Sequence, residues 1–117
     1  MSKQFTITQD KDNETIPVLH LSGRLDADGA YTLRTRVLEF KERGHTRVVI
    51  HLAELEFVAS SGLGTFLLLT EEFLDVGGSI SFVAPSPDVR QVISLMNLDQ
   101  FLNLVDTEEE ALQNSEA

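Results

Sequence analysis

The sequence predicts an α/β fold: a mixed β-sheet that opens with a hairpin and continues as alternating strands and helices crossing over it. Three observations carry that expectation. The hydrophobic period switches repeatedly between two and about 3.6 along the chain. Glycine, proline and asparagine stand at the switches, as in Gly44, Gly77-Gly78, Pro87 and Asn97. One run, Val48-Val49-Ile50, is apolar on both faces and so suits a central strand covered from two sides.

Each element follows in order. Phe5 and Ile7 alternate with Thr6 and Thr8 as in a half-buried strand, and the polar run Asp10 to Thr15 reads as a turn. Val18 to Leu25 is the second strand, with Leu19 and Leu21 facing away from His20 and Ser22; a hairpin joins the two. From Asp26 the period lengthens, and Ala30, Leu33, Val37 and Phe40 form one helical stripe that Gly44 caps. Arg47 to Leu52 is the central strand. A second helix starts near Ser60, with Leu63, Phe66, Leu67 and Leu74 as its buried stripe, widened by Leu68 and Leu69. Ile80, Phe82 and Val83 make a strand. Ser86-Pro87-Asp88 then opens a third helix with a capping hydroxyl, a first-turn proline and an acid near the positive helix end. Val89, Val92, Ile93 and Met96 are its apolar stripe, and Asn97 ends it in the left-handed conformation. Leu102 to Val105 is a last strand, and Glu108 to Leu112 starts a terminal helix. The order β-β-α-β-α-β-α-β, with one more α, requires a parallel portion within the sheet.

Composition narrows the function. The 117 residues are expected to form a single domain over 1–117, with an acidic tail fraying from about residue 106. Nineteen acidic residues against nine Lys and Arg give a formal net charge of −10. That balance excludes nonspecific nucleic-acid binding and disfavours anionic membrane surfaces. With no cysteine, disulfides, thiolate catalysis and Cys-based zinc sites are excluded. No segment reaches the roughly 18 apolar residues of a membrane span, and the first ten residues lack a signal-peptide core. A cytoplasmic location without membrane insertion is the expectation.

Chemistry has few footholds. His20, His45 and His51 lack paired ligand spacing, and His20 and His51 sit inside strands where a structural role is expected. There is no phosphate-binding G-x-x-x-x-G-K-[ST] loop, and Gly62-Leu63-Gly64 lacks the third glycine of a dinucleotide fingerprint. No cofactor, metal or catalytic residue is expected. The informative segment is Phe57-Val58-Ala59-Ser60-Ser61-Gly62-Leu63-Gly64, a strand-to-helix turn. Its hydroxyls suit capping of the first turn, and its two glycines allow a close helix–sheet approach. A serine there also suits a phosphate-controlled contact, because a helix N-terminus tolerates an anion. A hydrolase nucleophile needs G-x-S-x-G, which Val58 or Ala59 breaks at the first glycine.

The chain resembles a STAS domain of the bacterial anti-sigma factor antagonist type over about Phe5 to Leu112. Leu21-Ser22-Gly23-Arg24-Leu25-Asp26 is similar to that family's strand-ending G-x-[LI]-D. The segment from Phe57 to Gly64 is similar to its F-[ML]-D-S-S-G-L-G turn. Ser86-Pro87-Asp88-Val89, with Leu98 and Phe101 later, resembles its S-P-x-V … L … F pattern. One position departs: the aspartate before the phosphorylated serine is Ala59 here.

The resemblance implies partner switching in transcription regulation. The unphosphorylated protein binds an anti-sigma factor that is also a serine kinase of the histidine-kinase-like ATPase type, and sigma is released. Phosphorylation at Ser60 reverses this, with Ser61 the secondary acceptor, and a PP2C-type phosphatase resets the cycle. The implied partner surface comprises Asp26, Ala59, Ser60, Ser61, Gly62 and Leu63, and the protein is not an enzyme. Ala59 favours the alternative, a non-phosphorylated scaffold or adaptor in a signalling or transporter-associated complex.

Overall fold

The computed structural model describes residues 4–11 and 15–114. Two strands open the chain, β1 (Thr6–Gln9) and β2 (Val18–Leu25). They pair antiparallel with Thr6 opposite Ser22 and Gln9 opposite Leu19. The middle of the expected turn, residues 12–14, lies outside the described residues. Then follow α1 (Ala27–Glu42), β3 (Arg47–Val58), α2 (Ser60–Leu74), β4 (Ser79–Val83), α3 (Pro87–Leu95), a 3-10 turn at Leu98–Gln100, β5 (Asn103–Val105) and α4 (Glu108–Asn114). The sheet runs β1-β2-β3-β4-β5, and every pair after the first is parallel. This is the mixed sheet with crossover helices that the alternating pattern requires.

Residue parity divides the strands into two faces. Leu19, Leu21 and Leu25 of β2, Val48, Ile50 and Leu52 of β3, and Ile80 and Phe82 of β4 form the front core. The apolar stripes of α1, α2 and α3 join the same cluster. Phe66 of α2 meets Phe82 at a ring separation of 4.8 Å, so the aromatic contact sits at the centre of the front layer. The back face is thinner: Val18, Val49, Val83 and Val105 pack against Ala111 of α4. The terminal helix expected near Glu108 to Leu112 is therefore packed through Ala111 within the stretch expected to fray; residues 115–117 lie outside the described ones.

The central strand is longer than its pattern suggests. The alternation breaks after Leu52, yet β3 runs on to Val58. The β2–β3 register slips twice, once between His20 and Ser22 and once between Gly23 and Arg24, so β3 carries extra residues. Each bulge restores the facing of the side chain beyond it, which keeps Leu52, Leu55 and Val58 buried at a spacing of three. Period two cannot see such a strand.

Three expectations about helices need correction. On α2 the buried arc is Leu63, Phe66, Leu69, Thr70 and Phe73, while Leu68 and Leu74 are exposed. Leu68 points away from that arc, and Leu74 is the last residue of the helix. Met96 is also exposed, because α3 stops at Leu95 and Met96 is its C-cap. Ser86 does occupy the N-cap position of α3, but its hydroxyl makes no capping bond. It donates instead to the Leu55 carbonyl at 2.8 Å, tying α3 to the outer half of β3. Gly44 and Asn97 do take the left-handed backbone, with φ of 95° and 58°.

No described helix is long and apolar enough to cross a membrane. Gly78 marks where α2 turns back into the sheet. A Cβ there would stand 1.8 Å from the Thr46 carbonyl oxygen, so the backbones must separate to accommodate it. Gly78→Ala is expected to cost about 2–4 kcal/mol, a steric effect of the large class. Urea unfolding followed by circular dichroism checks it, and an unchanged midpoint contradicts it.

Candidate functional site

Parallel strands β2 and β3 end side by side, with Leu25 opposite Val58. The Ala59 amide donates to the Leu25 carbonyl at 2.9 Å and closes the pair. Each strand then turns directly into a helix. Two helix N-termini thus stand together at one end of the sheet and form an edge there, α1 capped by Asp26 and α2 by Ala59. Adjacent strands are about 4.8 Å apart, so residues from two distant segments share this small surface.

The two caps differ in chemistry. The Asp26 carboxylate accepts from the Gly29 amide at 2.9 Å, satisfying one free donor of the first turn. Ala59 has an extended backbone at φ −76° and ψ 165° but no side-chain acceptor. Its carbonyl takes the amides of Gly62 at 2.9 Å and Leu63 at 3.1 Å. Ser60 and Ser61 are the first two helical residues, so neither is the cap, which corrects the capping role expected of their hydroxyls. Both are exposed, and neither hydroxyl has a hydrogen-bond partner among the described residues.

Beneath them the packing is tight. A Cβ on Gly62 would lie 2.7 Å from Val58 Cγ2 and 2.9 Å from Leu25 Cδ2. Gly62 therefore sets how closely α2 approaches the ends of β2 and β3. Gly64 meets nothing within 4 Å, so the close-approach role expected of both glycines belongs to Gly62 alone. Leu63 is only 4% exposed. It anchors the helix from below and offers no surface to a partner. The surface part of the expected set is Asp26, half-buried Ala59, Ser60 and Ser61.

Two features at this edge carried no role in the sequence reading. The Arg24 guanidinium lies over the Phe57 ring at 4.1 Å, one residue before the strand ends. Such a cation–π pair rigidifies the rim and keeps an aromatic face partly exposed. Exposed Glu54 and Glu56 continue along β3, so the edge is acidic apart from Arg24. Their signal was present, since both strands are charged near their ends, but only the two-bulge register reveals that they meet. A cavity of about 350 Å³ also lies beside α1, walled by Phe5, Ile7, Asp26, Asp28 and Arg36 among others. The two acids disfavour a phosphate there. Among the described residues no three His, Asp or Glu side chains gather into a metal site.

The STAS domain family model matches residues 8–111, which take in most of the described sheet, the first three helices and the start of α4. The chain belongs to the STAS domain family. Among its relatives is the anti-sigma-F factor antagonist RsfB of Mycobacterium tuberculosis, 32% identical over 103 residues that cover 86% of this chain and 82% of RsfB. The unphosphorylated anti-sigma factor antagonist SpoIIAA superposes with a TM-score of 0.77 at 28% identity, over 92% of this STAS domain and 93% of that chain. An anti-sigma factor antagonist from Mycobacterium paratuberculosis gives 0.80 at 27% identity, over 96% of each chain. SpoIIAA, the Bacillus cell fate determinant, also matches in its phosphorylated form, with a TM-score of 0.71 at 27% identity over 92% of this chain and 96% of that one.

The missing cap of this STAS domain is measurable. Ala59→Asp supplies an acceptor at an N-cap whose backbone is already extended, and is expected to raise stability by about 1 kcal/mol. Asp26→Ala is expected to lower it by a similar amount. Chemical denaturation of the two variants checks both signs; a destabilised Ala59→Asp contradicts the assignment of the cap.

Proposed function

We propose that this STAS domain is an anti-sigma factor antagonist whose contact with its partner is controlled by phosphate at Ser60. In the unphosphorylated state the edge formed by Asp26, Ala59, Ser60 and Ser61 binds an anti-sigma factor, and sigma is released. The partner is a serine kinase of the histidine-kinase-like ATPase type, which phosphorylates Ser60 and so ends the contact. A PP2C-type phosphatase restores the hydroxyl. The domain catalyses nothing in this cycle and works in the cytoplasm.

The observation that carries this reading is the state of the Ser60 hydroxyl. It is exposed at the start of a 15-residue helix, and no hydrogen bond among the described residues competes for it. A kinase can reach it without unfolding the turn. The positive end of the helix tolerates the product, and the phosphate adds about −1.5 to −2 charge. Nearby Asp26 and Asp28 are already acidic. A partner that accepts the unmodified edge must then desolvate a dianion or retreat, and each 1.4 kcal/mol of that cost is about tenfold in affinity.

Ala59 favours a second reading, a non-phosphorylated adaptor. Where the family has an aspartate beside the acceptor, this chain has a methyl group, and no carboxylate from that position can orient the hydroxyl. An adaptor would bind its partner equally with and without ATP.

Incubation with ATP and the cognate anti-sigma kinase, followed by intact mass measurement, distinguishes the two. The expected result is a gain of one phosphate that Ser60→Ala abolishes and Ser61→Ala keeps. No gain, or a gain retained in Ser60→Ala, overturns the phosphoswitch at this serine.

A further inference from the structure

The back of the sheet is covered only in part. The register places Thr8, His20 and His51 in one row on that face, and the two histidine rings stack 4.3 Å apart. Helix α4 begins at this level, where Glu108 Oε1 lies 2.6 Å from His51 Nε2. From there it runs toward the start of β3, because the Arg47 guanidinium donates to the Leu112 carbonyl. Its Ala111 packs with Val18, Val49, Val83 and Val105, which lie in the histidine row or nearer the strand starts. Strands β2 and β3 continue past that row for two more levels. Ser22 stands opposite Glu54, with Thr6 of β1 on its other side, and Arg24 stands opposite Phe57. Strand β4 stops at Val83, opposite His51, and α4 starts level with it, so neither continues over the two outer levels.

The bare shelf so formed carries an aromatic ring among unneutralised charges. Phe57 keeps 39% of its surface exposed. The Arg24 guanidinium, 4.1 Å from the ring centroid, holds it in place. Among the described residues Arg24, Glu54 and Glu56 make no ion pair, although the acids stand on the strand next to the arginine. The Thr6 and Ser22 hydroxyls bond each other, so the β1 side of the shelf is already satisfied. The shelf also runs into the edge that carries the acceptor serine. Phe57 stands three residues before Ser60 and Arg24 two before Asp26, on strands that end together.

We propose that this shelf is a second half of the partner contact, with Phe57 as its apolar anchor and a basic surface of the anti-sigma factor as its occupant. The inference rests on the anti-sigma factor reading and adds to it the chemistry of the partner's face. Aromatic residues and arginine are enriched where interfaces are fully buried. A ring already fixed by its neighbour loses little side-chain freedom on binding, so more of its burial counts toward affinity. The acids set the sign of the partner. Three exposed carboxylates, Glu54, Glu56 and Asp26, stand against the one guanidinium of Arg24. Complementarity therefore calls for Lys or Arg side chains opposite them. A second copy of this chain would bring the same acids against each other, and its formal charge of −10 opposes self-association further. In this arrangement Ser60 switches the contact at the sheet end, while the shelf supplies much of its strength.

The affinity of the cognate anti-sigma factor for the unphosphorylated full chain, at about 50 and about 300 mM salt, tests the shelf. Phe57→Ala is expected to weaken binding about tenfold or more at both salt concentrations, as an anchor does. Glu54→Lys is expected to weaken it about three- to tenfold at low salt and much less at high salt. Glu71→Lys makes the same charge change on the exposed surface of α2, eleven residues beyond Ser60, and is expected to stay within about twofold of native. Circular dichroism checks that each variant is folded, and Glu54→Lys, at an exposed position, answers the question even if Phe57→Ala unfolds. Native affinity in either folded shelf variant, tighter binding by Glu54→Lys, or an equal loss in Glu71→Lys overturns the shelf and leaves the Ser60 edge standing. A native chain that binds no anti-sigma factor overturns the edge and the shelf together.

Discussion

The organisation of this protein depends on the parallel pairing of β2 with β3. That pairing brings Leu25 opposite Val58 and lets the Ala59 amide close on the Leu25 carbonyl. Because both strands stop at the same level, both following helices start there, and the surface that carries Ser60 is the place where two positive helix ends meet. The same pairing, read on the other face, puts His20 against His51. The front of the ladder thus builds the core, its end builds the proposed partner edge, and its back aligns the histidines.

The energetic division is equally local. The front face holds most of the buried apolar side chains, and Gly62 and Gly78 mark where helix and sheet backbones come closest. Nothing at the edge contributes comparably to stability: Ser60 and Ser61 are exposed, and Ala59 leaves its helix without a side-chain cap. On the proposed cycle, the surface that accepts and loses a phosphate is freed from structural duty in this way. Asp26 is the exception, serving as cap and surface group together.

Most of the architecture was legible because period and punctuation agree. All five strands and all four helices can be read from apolar patterns between glycine, proline and asparagine. What escaped has a definite cause. The outer half of β3 breaks period two because two bulges reset its facing, so Glu54, Leu55 and Glu56 look like a loop. The bridge from Ser86 to Leu55 escaped because a serine before proline looks like a cap wherever its hydroxyl points. For the site, the turn from Phe57 to Gly64 located the edge, but sequence cannot separate the exposed members from their supports. Burial does so: Gly62 and Leu63 hold the helix down, while Asp26, Ser60 and Ser61 face solvent. The histidine stack is a product of register, which no local pattern encodes.

The chain already carries a formal charge of −10, so one further phosphate changes the total little. In the proposed cycle the position of the added charge must decide the contact. The most direct measurement is the affinity of the proposed anti-sigma factor partner for the native chain and two variants that add the same single charge in different places. Ser60→Glu puts it at the edge, and Gln91→Glu puts it on the exposed surface of α3. The account predicts that Ser60→Glu weakens binding about tenfold or more, equivalent to at least ~1.4 kcal/mol, while Gln91→Glu stays within about twofold of native. Equal losses in both, or no loss at Ser60→Glu, would contradict it.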